Sequence, residues 1–235
     1  MDDRSSDLVI QLFLNLEKRL STFIKYLPFN KENKFVVLPL LSSIIVEAGS
    51  LIDTILREEY STPPKSKKDL NIKDFEAHYE NRFLFSKKRT ILFIYPPSYL
   101  IPFYNWIDGK DNNNTTLSWW QNYNKLKHSR FENIELSTYE TAINVVCALH
   151  QIISQLPAFV SPMIRHNMIS CGSFGIDDVK EQLASETANE ITVLIESKLF
   201  ATPNGRHSFP ENINEIRPIK YGQSKRLAHF FGRFI

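Results

Sequence analysis

Hydrophobic residues recur at helical spacing along most of this chain. Over residues 7–27, Leu8, Leu12, Leu16 and Leu20 fall at four-residue steps with Val9, Phe13 and Phe23 beside them, while Glu17, Lys18 and Lys25 lie off the stripe. That spacing predicts an amphipathic helix, opened by Ser5, Ser6 or Asp7 and ended by Pro28. A second helix is expected over residues 39–60, where Leu40, Ile44, Leu51 and Ile55 keep the period and Glu47, Ser50, Asp53 and Arg57 interrupt it. Residues 61–68, with two prolines and three lysines, read as a surface connection. A short helix follows over 72–83. The run 89–95 (RTILFIY) is apolar throughout and short, so it fits either a buried helix end or a strand, with the helix preferred.

Pro96, Pro97 and Pro102 then break regularity, and the aromatic run 99–106 (YLIPFYNW) reads as a plug against the helices. A polar loop over 108–114 leads to Thr115 or Thr116, either able to cap a helix starting near Leu117. Ser137 and Glu140 have the spacing of a capping box ahead of an apolar helix that Pro157 stops. Beyond it the pattern weakens to a turn at 170–175, a short helix over 177–186, and an extended run over 191–200. A turn at Pro203, Asn204 and Gly205 leads from that run into another extended segment. The chain therefore reads as mainly α. A helical domain over 1–170, with five to seven helices, precedes a small C-terminal addition over 171–235 that holds a short helix, a hairpin and a basic aromatic tail.

Composition narrows the classes. At 235 residues and 43% hydrophobic the chain can bury a sizeable core. A formal charge of +2 makes no global positive field, so a nucleic-acid partner must be held by a local patch. Cys147 and Cys171 form neither a disulfide framework nor a zinc quartet, and no metal or other cofactor is expected. Residues 35–56 are apolar enough to suggest a membrane span, but Pro39, Glu47 and Asp53 favour a buried helix. With an acidic start and no basic stretch before an apolar core, a cytoplasmic protein without membrane contact is expected. The Asn-x-Thr matches at Asn113 and Asn114 then have no glycosylation role.

The densest chemistry lies between Trp119 and Arg130 (WWQNYNKLKHSR). On a helix Trp120, Asn124 and His128 form one stripe, with Lys127 beside it. An imidazole among cations can act as a general base beside an anionic phosphodiester. The alternative is a helix-face histidine held by Asn124, with the cations simply solvated and favouring the helix C-terminus. Glu47 could orient His128 if the two helices meet. Elsewhere Glu76, His78 and Glu80 alternate and so diverge on a helix, His150 reads as a core histidine, and Arg165 with His166 could extend a basic surface. Lys220, Lys225, Arg226, His229 and Arg233, mixed with aromatics, could dock on the core or stack on nucleic acid.

The same string, preceded by PFYNW and followed by a long apolar helix, resembles HEPN-like (higher eukaryotes and prokaryotes nucleotide-binding) helical domains of bacterial proteins. Their motif is an arginine, a polar residue often asparagine, three variable residues and a histidine. Asn124 and His128 match it, and Tyr123 stands where the family has arginine. The resemblance covers about half the chain and implies a HEPN-like bundle, usually dimeric, in defence or toxin systems.

Many members are metal-independent ribonucleases. That would make His128, Asn124 and Arg130 catalytic, with Lys127, Lys125 and Tyr123 holding RNA. A phenol lacks the charge that arginine gives to a phosphate, which favours a non-catalytic module binding RNA or a protein partner. A purely structural scaffold is the third reading.

Overall fold

In the computed structural model, residues 1–104, 106, 117–169, 193–204 and 208–213 are described. Six α-helices and four short strands lie among them: α1 (Asp3–Tyr26), α2 (Pro39–Glu58), α3 (Ile72–Phe83), β1 (Thr90–Leu92), β2 (Ser98–Leu100), α4 (Ser118–His128), α5 (Tyr139–Gln155), α6 (Val160–Arg165), β3 (Leu194–Glu196) and β4 (Phe200–Pro203). The mainly helical expectation holds. The predicted helix over 177–186, the caps at Thr115 and Thr116, Cys171 and the basic residues between 220 and 233 lie outside the described residues.

The first helix starts four residues earlier than expected. Asp2 caps it, accepting from the Ser5 N–H at 2.7 Å, so Ser5, Ser6 and Asp7 lie inside it. Its buried face is also rotated from the leucine stripe. Leu8 and Leu12 are exposed, whereas Val9, Ile10, Phe13, Leu16, Glu17 and Leu20 face the core. Glu17 is buried because its carboxylate accepts from the N–H groups of Lys198 (3.1 Å) and Leu199 (2.7 Å) and from the Ser197 hydroxyl. A buried carboxylate is tolerable when hydrogen bonds to its charged form replace water.

Pro39 opens α2, where its missing N–H costs nothing. The helix packs on α5, α4 and α1, and its exposed positions are Pro39 and Leu40 at its start and then Glu47, Thr54 and Glu58. It is the one described helix that is by itself long and apolar enough to cross a membrane. Asn71 and Asp74 form a reciprocal capping box on α3, and Leu84, at φ 52°, ends it. The cap of α5 is displaced by one residue from the Ser137 and Glu140 pattern. Thr138 is the N-cap, accepting from the Thr141 N–H at 3.1 Å, while Ser137 is buried and its hydroxyl has no partner among the described residues. Almost every residue of α5 is buried, which makes it the axis of the core.

Within the run 89–95, residues 90–92 form a strand, the alternative to the preferred helix end. β1 pairs antiparallel with β2 (Ile91 opposite Tyr99) and with β4 (Ile91 opposite Ala201), in a sheet ordered β2-β1-β4-β3. β3 and β4 form a hairpin that turns at residues 197–199, inside the run expected to be one extended segment, and β4 is an inner strand of this sheet. The residues just after the expected turn at Pro203, Asn204 and Gly205 lie outside the described ones. The sheet thus joins segments from both sides of residue 170. The aromatic run 99–106 does form a plug. Phe103 and Trp106 are buried against Phe85, although Tyr104 points outward.

Between α5 and the sheet runs a buried polar seam. His150 Nδ1 lies 2.9 Å from Thr202 Oγ1, which is 2.7 Å from Thr90 Oγ1, and Gln151 donates to Thr90 Oγ1 and to the Lys88 carbonyl, both at 2.9 Å. Lys88 Nζ donates to Gln155 Oε1 at 3.0 Å. Burial pushes the Lys88 ammonium down to about 7 and the His150 imidazole down to about 3, because a low-polarity surrounding penalises charge. His150 is a core histidine, as expected, bonded at Nδ1 and, among the described residues, without a partner at Nε2.

Candidate nucleic-acid interface on helix α4

Residues 119–130 fold as expected up to His128, the last residue of α4. The helix is anchored through an apolar stripe at Trp119, Tyr123 and Leu126, joined by Trp120. Trp119 Nε1 donates to the Pro102 carbonyl at 2.6 Å, its ring meets Trp120 edge-on, and Trp120 leans on Tyr123. Tyr123 is fully buried against α2. A methyl group at Gly49 would stand 2.3 Å from the Tyr123 ring, so glycine is what lets the two helices approach this closely. The phenol lies 3.4 Å from Ser50 Oγ.

This overturns Tyr123 as an RNA contact, because it is a core residue. The stripe of Trp120, Asn124 and His128 is likewise not one surface. Trp120 is buried, Asn124 is half-buried and donates through Nδ2 to the Trp120 carbonyl at 3.0 Å, and only His128 is open. Among the described residues, His128 makes no hydrogen bond to Asn124. Glu47 does not orient it either, since its carboxylate pairs with Arg19 at 2.6 Å.

The opposite face and the end of the helix are different in kind. Lys125, Lys127, His128 and Arg130 are all exposed, and the three on the last turn of α4 are favoured there by the helix dipole. Phe131, immediately after Arg130, is 95% exposed. An exposed phenylalanine that follows this basic run in the chain is the feature that the sequence reading missed. Its signal was present, as an aromatic outside any helical period following a basic run. Glu132 and Glu135 are also exposed nearby and bound the patch on one side.

A cleft of about 370 Å³ opens near the other end of α4, where it meets the start of α5. Phe35 and Tyr104 stand at it, 63% and 67% exposed, and Asn122, Glu140, Thr141 and Asn144 contribute its polar side. Asn122 Nδ2 donates to Thr141 Oγ1 at 3.0 Å, Asn144 Nδ2 to the Glu140 carbonyl at 2.9 Å, and Lys34 Nζ to Glu140 Oε1 at 3.1 Å. His128 is not among its lining residues.

The remaining candidates are tied up locally. Arg165 bonds Asp3 and Asp7, and His166 Nε2 lies 3.3 Å from Asp7, so this corner is an ion-pair cluster and not a basic surface. Hydrogen bonding and the Arg165 guanidinium hold Asp7 below the usual carboxylate range. Lys65 pairs with Asp74, and Lys67 donates to the Glu58 carbonyl. On α3, His78 stacks on Tyr60 at 3.9 Å and Glu80 accepts from Ser86. Among the described residues no group of three or more His, Cys, Asp and Glu is placed to hold a metal ion. No family model, no curated protein and no solved structure matches this chain.

Proposed function

We infer that this chain is a non-catalytic RNA-binding helical module of the HEPN-like kind, gripping single-stranded RNA at the C-terminal end of α4. The observation that carries this reading is Phe131, almost wholly in solvent, set beside Lys125, Lys127, His128 and Arg130. Cations attract the phosphate backbone, and an exposed ring stacks an unpaired base whatever its identity. The core of a protein–protein interface is depleted of lysine, whereas Lys125 and Lys127 are both exposed here.

The ribonuclease alternative needs a second group beside His128 at the phosphate. Asn124 is turned to its own helix and Tyr123 is in the core, which favours binding over cleavage. A fluorescent single-stranded oligouridine titrated by anisotropy tests the reading. The triple variant Lys125→Ala, Lys127→Ala, Arg130→Ala is expected to bind at least tenfold more weakly, with the slope of log affinity against log salt reduced by about 2. Unchanged affinity in that variant would sink the proposal. RNA cut in EDTA by the wild type, and not by His128→Ala, would replace it with the ribonuclease.

A further inference from the structure

We propose that the cleft between α4 and α5 is a pocket for a guanine base, an inference that rests on the RNA-binding reading and assigns it a base preference. Three features of the cleft define what fits. It is of small-molecule size, at about 370 Å³. Two aromatic rings, Phe35 and Tyr104, stand in solvent at it, and exposed rings of this kind stack planar heterocycles.

Its polar side, third, carries the Glu140 carboxylate together with two side-chain amides. Asn122 and Asn144 each commit one N–H to the protein, which leaves each a carbonyl oxygen and one further N–H. Glu140 gives one oxygen to Lys34, and a carboxylate has lone pairs to accept more.

Such a site selects a ligand by its N–H groups. Guanine presents N1–H and the N2 amino group side by side, and a carboxylate can accept from both. Uracil offers one N–H flanked by two carbonyls, so a carboxylate that accepts that N–H has its second oxygen turned against a carbonyl and is repelled. A phosphate is disfavoured by the Glu140 carboxylate, and a purely apolar ligand would leave the amides unpaired. The ion pair with Lys34 keeps the cleft near neutral, as suits an uncharged base.

The cleft and the cationic patch can serve one strand. The 11 residues of α4 span about 15 Å. Lys125 follows Asn122 by three residues on the same side of the helix, so it leads from the cleft to the patch.

The test uses the full chain and three labelled eight-nucleotide RNAs: all uridine, uridine with one central guanosine, and the same with inosine, which lacks the N2 amino group. The guanosine RNA is expected to bind about tenfold more tightly than oligouridine, with inosine between. Glu140→Gln and, separately, Tyr104→Ala, each checked as folded by circular dichroism, are expected to remove the preference. The triple patch variant is expected to weaken all three RNAs equally while keeping it. Equal affinity of the wild type for all three overturns the pocket and leaves the RNA reading standing. If no RNA binds, that reading fails alone, and calorimetry with free guanosine and uridine decides the pocket. Guanosine binding that Glu140→Gln abolishes supports a nucleoside site, and no guanosine binding overturns it.

Discussion

His128 ends α4 in solvent, whereas His150, on α5, lies between the rings of Phe13 and Phe200 with Thr202 on its Nδ1. Both sit on helices that pack against α2, and both have polar side chains at helical spacing. The difference is what stands opposite. Across from His150 is a sheet whose threonines meet the polar side of α5, so the imidazole is held neutral and takes part in a fixed seam. Nothing among the described residues covers His128. A histidine's chemistry is therefore set by the element facing it, and that element can be far away in the chain.

Three measurements press on this contrast. The largest effect is expected at the root of α4. Tyr123→Ala removes the ring that fills the space above Gly49 and should cost roughly 3–5 kcal/mol in urea unfolding. A cost below about 1 kcal/mol would mean that α4 is not anchored through this residue.

The next concerns acid. The folded His150 has its pKa lowered to about 3, against about 6.5 in the unfolded chain, so between these values the unfolded state binds the extra proton. Its contribution is complete above pH 6.5 and is lost as pH falls towards 3. Unfolding at pH 7 and pH 5 should show about 2 kcal/mol of loss in wild type beyond that seen in His150→Gln. Equal losses would place a charged or solvated imidazole in the seam. The smallest effect is expected for His128→Ala, within about 0.5 kcal/mol of wild type at both pH values. A larger loss would mean that His128 has a partner in the folded state.

Much of the helical frame was legible in the sequence, and the reasons for the misses are physical. The bounds of α3 follow from its pattern, and Pro39 and Pro157 mark the start of α2 and the stop after α5. In α1 the leucine stripe misled because Glu17 lies on the buried face, and only the hairpin turn that it caps makes that burial tolerable. β1 was misread because a three-residue apolar strand has no period of its own, and its inner partner comes from the end of the chain.

On α4 the error was one of phase. The apolar residues at 119, 123 and 126 fix which side is buried, and following them would have placed Tyr123 inside and Lys125 outside, while Lys127, four residues after Tyr123, sets its ammonium 5.4 Å over that ring. The cleft was not legible, because Phe35, Tyr104, Asn122 and Glu140 come from four separate segments.

The position of β4 between β1 and β3 has a consequence for how the chain is made. Thr90 and Thr202, bonded across that junction, are 112 residues apart. During synthesis β1 and β2 emerge early as a two-stranded ribbon, a unit with little stability of its own, and the inner edge of β1 waits until residue 203 has left the ribosome. Closing so long a loop is slow, and an open strand edge invites pairing with other chains. The helices can assemble on the nascent chain, but the polar seam that fixes His150 is completed only when β4 arrives.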